Sequence, residues 1–218
     1  MKRKGDRMTN PGLFIVCEGI DGCGKGTQAG LLVDRLFKMN KRHHVLYTRE
    51  PARSNYGVSI RQILKEQSDP YQRGILMAEL FVEDRKKHVR ELVDPVLRYG
   101  GIVACDRYSP STYTYQQMQG IPLDVLVKMH EGLLIPDLTV IFDLDAEEAM
   151  RRQAQDEKRD YAELFEKRDV QVKLRQLYLE LPGKLPNHRI EIVNASRTRE
   201  EIHEEVFALV KPLLSKVA

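Results

Sequence analysis

Five short, predominantly apolar runs punctuate the chain at residues 13–17, 45–48, 102–105, 138–144 and 189–193. Runs of this length that lack polar alternation fit strands buried on both faces. Between them, apolar residues recur at helical spacing over 28–39, 58–66, 74–97, 122–134, 146–155, 163–181 and 199–214. Strand and helix therefore alternate, which predicts an α/β fold: a single-domain, three-layer α/β/α sandwich around a five-stranded parallel sheet. The "RYGG" of 98–101 and the "LPGKLPN" of 181–187 supply the breaks that end two of the helices. No linker, low-complexity stretch or repeat of solenoid period divides the sequence.

Composition narrows the class. The 218 residues are 42% hydrophobic, enough for a sizeable core, and carry 35 Lys+Arg against 32 Asp+Glu. A net charge of +3 suits phosphorylated ligands and gives no ground for a nucleic-acid partner. Cys17, Cys23 and Cys105 are odd in number and lack metal-ligand spacing, and the six histidines form no metal-binding pattern. Together these imply a reducing, cytoplasmic setting and no zinc site. No apolar run is long enough to span a membrane. Residues 1–11 are basic, with Lys2, Arg3 and Lys4, and read as a flexible tail ahead of a folded domain over 12–218.

The decisive local feature is "GIDGCGKGTQ", which follows the first apolar run and opens the first helix. Gly19, Gly22 and Gly24 let consecutive backbone N–H groups curl around phosphate oxygens, the helix N-terminus adds partial positive charge, and Lys25 adds a full one. The Gly19-x-x-x-x-Gly24-Lys25 spacing is that of a P-loop. Such loops usually place Ser or Thr directly after the lysine to meet Mg²⁺. Here Gly26 stands there and Thr27 follows, so metal positioning falls to Thr27, with water-mediated coordination as the alternative.

Three further stretches hold candidate chemistry. "YTREPARS" (47–54) offers Arg49 and, in a probable loop, Arg53, whose guanidinium can clamp a phosphate bidentately. "AELFVEDR" (78–85) sets Phe81 and Arg85 four apart on one helical face, a ring to stack on a base and a donor for that base's edge. In "VACDRYSPSTYTYQ" (103–116), Asp106 ends a strand where a carboxylate meets Mg²⁺ or its waters, and Arg107 beside it can reach a transferring phosphate. Tyr108, Ser111, Thr112, Tyr113, Tyr115 and Gln116 then form a polar aromatic wall.

In order and spacing, "EGIDGCGKGTQ", "TREP", "LFVEDR", "DRYSPST" with "YQ", "PDLTVIFDLD" and "VNAS" resemble the thymidylate kinases, P-loop nucleoside monophosphate kinases, over nearly the whole chain. The resemblance implies an enzyme with a mobile lid that moves the γ-phosphate of ATP to dTMP with Mg²⁺. It implies that Gly19, Gly22, Gly24, Lys25, Gly26, Thr27 and Gln28 hold the donor phosphates and that Ser196 borders the adenine. Asp21 would face the acceptor's 3′-hydroxyl, Arg53 and Arg107 would grip its phosphate, Phe81 would stack on thymine and Arg85 would donate to O4. Tyr115, with Thr112 and Gln116 nearby, would lie against the 2′ edge of the sugar, and Thr27 and Asp106 would serve the metal. Because relatives commonly pair, a homodimer is also implied.

In that family an arginine from the P-loop or the lid completes the catalytic cations. Gly22 fills the P-loop position, so the lid, about 151–168, must supply it. The lid ends Glu163-Leu164-Phe165-Glu166 where many relatives carry an arginine, which leaves Arg152 and Arg159, with Arg159 taken as catalytic. "GKGTQA" has the adenylate kinase form, which keeps another monophosphate kinase (dUMP, UMP, CMP or AMP) as an alternative. Arg85 opposes a purine acceptor, since adenine presents an amine on the comparable edge. A catalytically silent nucleotide-binding module is the reading from another class, distinguished by ATP binding without ADP production.

Overall fold

Leu13, Ile15 and Cys17 of strand β1 (Leu13–Glu18) are fully buried in one apolar cluster, and Phe14 and Val16 in a second. The alternation of a strand sends successive side chains to opposite faces, so β1 has a helix layer on each side. The computed structural model describes residues 12–66, 69, 71–155, 165 and 167–217. It places β1 at the centre of one five-stranded, all-parallel sheet of order β2-β3-β1-β4-β5, with β2 (Val45–Arg49), β3 (Ile102–Asp106), β4 (Leu138–Asp143) and β5 (Ile190–Asn194). This is the expected three-layer α/β/α sandwich.

The edge strands depart from the expected two-sided burial. Tyr47 of β2 and Ile192 of β5 are exposed, because each edge strand has a neighbour on one side only.

The helices are α1 (Lys25–Met39), α2 (Asn55–Glu66), α3 (Gly74–His88), α4 (Asp94–Arg98), α5 (Ser109–Met118), α6 (Leu123–Met129), α7 (Ala146–Ala154), α8 (Arg168–Lys184) and α9 (Arg199–Val210), the last running on as a 3₁₀ turn over Lys211–Lys216. The single helix expected over 74–97 is interrupted by a π turn at Val89–Val93 that leads into Pro95, which has no N–H to continue the α pattern. Helix α8 passes the break expected at 181 and carries Pro182 in its last turn, closed by Leu185 N–H on the Leu181 carbonyl. Helix α5 is an addition to the expected set. It is buried almost all round, from Ser109 and Thr112 to Tyr115 and Met118, so no apolar stripe betrays it.

Strands β1 and β3 are neighbours, yet the chain leaves them toward opposite edges of the sheet, β1 to β2 and β3 to β4. Their loops open together at the C-terminal edge, the place where open α/β sheets bind ligands. Cys17 and Arg49 both register with Asp106, which brings the ends of β1, β2 and β3 level there. Among the described residues no helix is long and apolar enough to cross a membrane.

Candidate active site

The P-loop lies between β1 and α1. Lys25 is the first residue of α1 and only 6% exposed, and its Nζ donates to the Ile20 carbonyl at 2.8 Å and lies 3.8 Å from Asp21 Oδ1. Gly22 has a φ of +82°, and a Cβ there would come 2.2 Å from the Ala149 carbonyl oxygen of α7. No side chain fits, so this loop cannot carry an arginine at that position. A cleft of about 470 Å³ opens over the loop, walled by Asp21, Gly22, Cys23, Gly24, Thr27 and Gln28 on one side and by Arg152, Gln153, Arg197 and Arg199 on the other. Gln28 is anchored by donating to the Arg199 carbonyl at 2.9 Å.

A second cavity, about 760 Å³, lies at the ends of β2 and β3 against α3 and α5. Arg53, Phe81, Arg85, Arg107, Tyr115 and Gln116 all line it. The Arg53 loop is braced from α3: Asp84 accepts the Ala52 N–H at 2.7 Å and the Ser54 hydroxyl, while Arg61 holds the Pro51 and Ala52 carbonyls. Helix α3 thus supports the Arg53 loop with Asp84 and contributes Arg85, the next residue, to the cavity wall.

Arg85 is 1% exposed and its guanidinium is oriented by four bonds. Nε and Nη2 donate to Glu50 Oε2 at 2.8 and 2.6 Å, and Nη1 donates to Thr112 Oγ1 at 3.2 Å and to His130 Nε2. The His130 tautomer follows from its surroundings: Nδ1 faces the Leu126 carbonyl at 2.7 Å and must carry the proton, which leaves Nε2 to accept. Burial, and then the charge of Arg85, push the His130 imidazole down to about 3, so it stays neutral. Glu50 is oriented in turn by His88, whose Nδ1 donates to Oε1 at 3.0 Å while Nε2 meets Thr48. An arginine has five N–H bonds; among the described residues these contacts engage four and leave one on Nη2.

Asp21 and Arg107 join the two cavities. Asp21 is part of both walls, and its carboxylate pairs with Arg107 Nη2 and accepts the Tyr115 hydroxyl at 3.1 Å. Burial alone would raise the Asp21 carboxyl, but Arg107 and Lys25 outweigh it and hold the group well below the usual carboxylate range. Arg107 has a φ of +73°, a left-handed conformation uncommon for a residue with a Cβ. Its N–H donates to the Cys17 carbonyl, and its side chain also reaches Ser111, Tyr115 and Tyr178. Glu18, completely buried at the end of β1, accepts the N–H of Tyr108 and of Ser111 and the hydroxyls of Ser111 and Tyr178. It fixes the turn that presents Arg107.

The sequence model of the thymidylate kinase family matches residues 17–206. The chain belongs to the thymidylate kinase family. It is 38% identical over 207 residues to a protein of Pyrococcus horikoshii described as a probable thymidylate kinase, with 92% of this chain and 96% of the relative aligned. A probable thymidylate kinase of Thermococcus onnurineus is 38% identical over 211 residues, covering 94% and 100%. A thymidylate kinase of Halothermothrix orenii is 36% identical over 213 residues, covering 94% and 99%. Membership makes the chain a phosphotransferase, and the adenylate-type alternative raised by "GKGTQA" is not favoured.

Within this thymidylate kinase fold, the expected residues that do not line the second cavity divide as follows. Asp21, Gly22, Gly24, Thr27 and Gln28 face the P-loop cleft, with Gly19 and Lys25 in the same loop. Thr112 and Ser196 line neither of these two cavities: Thr112 sits behind Arg85, and next to Ser196 it is Arg197 and Arg199 that reach the P-loop cleft. Arg159, most of the lid and the 1–11 tail lie outside the described residues. Of the lid, Arg152 faces the P-loop cleft with its Nε on Glu148 at 2.8 Å, and Phe165 lines the second cavity, edge-on to Tyr115.

Asp106 is 7% exposed at the end of β3, and its Oδ1 is buried without a partner among the described residues. An unpaired buried carboxylate oxygen beside a P-loop suits a hydrated divalent cation, as does the Thr27 hydroxyl in the cleft wall. Among the described residues there is no cluster of three or more His, Cys, Asp and Glu that could hold a metal ion.

Proposed function

We infer that the chain transfers the γ-phosphate of ATP to dTMP, giving ADP and dTDP. The observation that carries this reading is the shared wall: Asp21 borders both cavities, with Lys25 beside it on the P-loop side and Arg107 beside it on the other. Two nucleotides bound there meet phosphate to phosphate. An acceptor phosphate oxygen attacks the γ-phosphorus, the bond from γ-phosphorus to the β-bridging oxygen breaks, and ADP leaves.

The chain's residues act by alignment and charge. Lys25 and the loop amides hold the donor phosphates, and Arg53 and Arg107 the acceptor phosphate. Of the two lid candidates, Arg152 stands in the cleft wall, where it can act on the transferring group, and Arg159, the one taken as catalytic, lies outside the described residues. When bound, Mg²⁺ would neutralise charge on the β- and γ-phosphates, and Thr27 and Asp106 are the residues that would hold it. Phe81 stacks on the base and the spare Nη2 hydrogen of Arg85 meets one carbonyl, as O4 of thymine requires. Tyr115, hydrogen-bonded to Asp21 and backed by Phe165, closes the sugar's 2′ edge.

The three free, buried cysteines support a reducing, cytoplasmic location. Exposed Ile75 and Leu76 on α3 support pairing of two copies through that helix. No nucleic-acid partner is proposed. Separating the products of a reaction with ATP, dTMP and Mg²⁺ by anion exchange tests the transfer itself: one dTDP should form per ADP, and ADP without dTDP would mean hydrolysis and overturn the reading.

A further inference from the structure

At Gly26 the loop lacks the hydroxyl that the position after a P-loop lysine ordinarily brings to the metal, and the structure shows what surrounds the gap. A Cβ built on Gly26 would lie 3.0 Å from Asp106 Oδ2 and 3.5 Å from the Tyr47 hydroxyl oxygen. The first distance is too tight for comfort, so a serine or threonine here would press on Asp106. The second puts a different hydroxyl, from β2, at the mouth of the space that a serine side chain would enter.

The strand register explains how Tyr47 gets there. Tyr47 pairs with Ala104 and Arg49 with Asp106, so Tyr47, Ala104 and Asp106 share the sheet face that packs on α1. The long phenol crosses Ala104, the small residue opposite, and ends beside the P-loop. Asp106 Oδ2 borders the same space, and the other oxygen of that carboxylate, Oδ1, is buried without a partner among the described residues. A phenol hydroxyl can both donate to and accept from a water.

We propose that the Tyr47 hydroxyl, together with Asp106, replaces the missing P-loop hydroxyl by holding the hydration shell of the Mg²⁺ that accompanies the bound nucleotide. This rests on the reading of the P-loop cleft as the donor nucleotide site. Tyr47 is a positioning residue in this scheme: it touches a metal-bound water and leaves phosphate contacts to the loop and Lys25.

The test is binding rather than turnover. Tyr47→Phe removes one oxygen from a partly exposed side chain, and its melting temperature should match the parent protein's. The dissociation constant of a fluorescent N-methylanthraniloyl-ADP is measured for both proteins with saturating Mg²⁺ and again with EDTA. In Mg²⁺ the variant should bind about five- to tenfold more weakly, the scale of one hydrogen bond to a polarised partner; in EDTA the two should agree. Equal affinities in Mg²⁺, or the same loss in EDTA, would overturn the role of Tyr47. A parent protein that binds the nucleotide in neither condition would overturn the donor-site reading beneath it.

Discussion

Replacing Lys25 with alanine should lower kcat by about 100-fold or more at saturating ATP and dTMP, the scale seen when one preorganised group that stabilises transition-state charge is removed. The expectation follows from its setting. Lys25 is nearly buried at the N-terminus of α1, where its Nζ is oriented by the Ile20 carbonyl and lies 3.8 Å from Asp21. A preoriented ammonium costs little reorganisation when charge moves onto the transferring oxygens, whereas a water in its place must reorient. Its loss also removes one of the two charges that keep Asp21 ionised, leaving Arg107 alone. Steady-state kinetics on a folded variant checks this, and near-normal kcat would remove the P-loop lysine from the mechanism.

The second large effect is expected at Arg85. Arg85→Ala should raise KM for dTMP by about 10- to 100-fold, the range of one hydrogen bond from a charged donor, and leave KM for ATP within about twofold. Equal rises in both constants would refute its role in reading the base. The same substitution should also destabilise the fold, for a reason independent of substrate. Glu50 is 2% exposed and would be left as a buried carboxylate without its arginine, with the His88 ring as its remaining side-chain partner among the described residues, and losing one member of a buried pair costs about 3–5 kcal/mol. Melting curves should show a fall on the order of 10 °C. The ratio of the two KM values separates the effects, because both constants come from the same folded fraction.

That double role shows which parts of the site a sequence can display. Phe81 and Arg85 stand four apart on one helix, and Asp106 ends a strand with Arg107 directly after it, so local spacing marks them. The residues that orient them come from elsewhere in the chain. Glu50 meets Arg85 across 35 positions, His130 across 45, and Tyr178 meets Glu18 across 160. Those pairs depend on the strand order β2-β3-β1-β4-β5, which no local pattern encodes. Glu50 and Asp84 were inside quoted motifs, "TREP" and "LFVEDR", but a carboxylate that faces solvent and one that braces a loop look alike in sequence.

The fold divides the same way. The runs at 13–17, 102–105 and 138–144 stand out because β1, β3 and β4 are interior strands with both faces covered. Helix α5 was hidden for the opposite reason to a surface helix: Ser109, Thr112, Thr114 and Gln116 are all buried, held by hydrogen bonds and packing rather than by an apolar stripe. Gly22 is the case where structure turns a sequence observation into a cause. Its missing arginine was visible at once, but the 2.2 Å approach of a Cβ to the Ala149 carbonyl shows that no side chain could stand there.

The central claim, a kinase whose second cavity reads thymine, is tested most directly by measuring ADP release from ATP and Mg²⁺ with dTMP, dUMP, UMP, CMP, AMP and GMP offered one at a time. The account predicts that dTMP leads clearly, with dUMP behind it by the modest factor that one methyl group in an apolar pocket commands. If AMP leads instead, Arg85 with its single spare donor does not read the base, and the acceptor site described here is wrong.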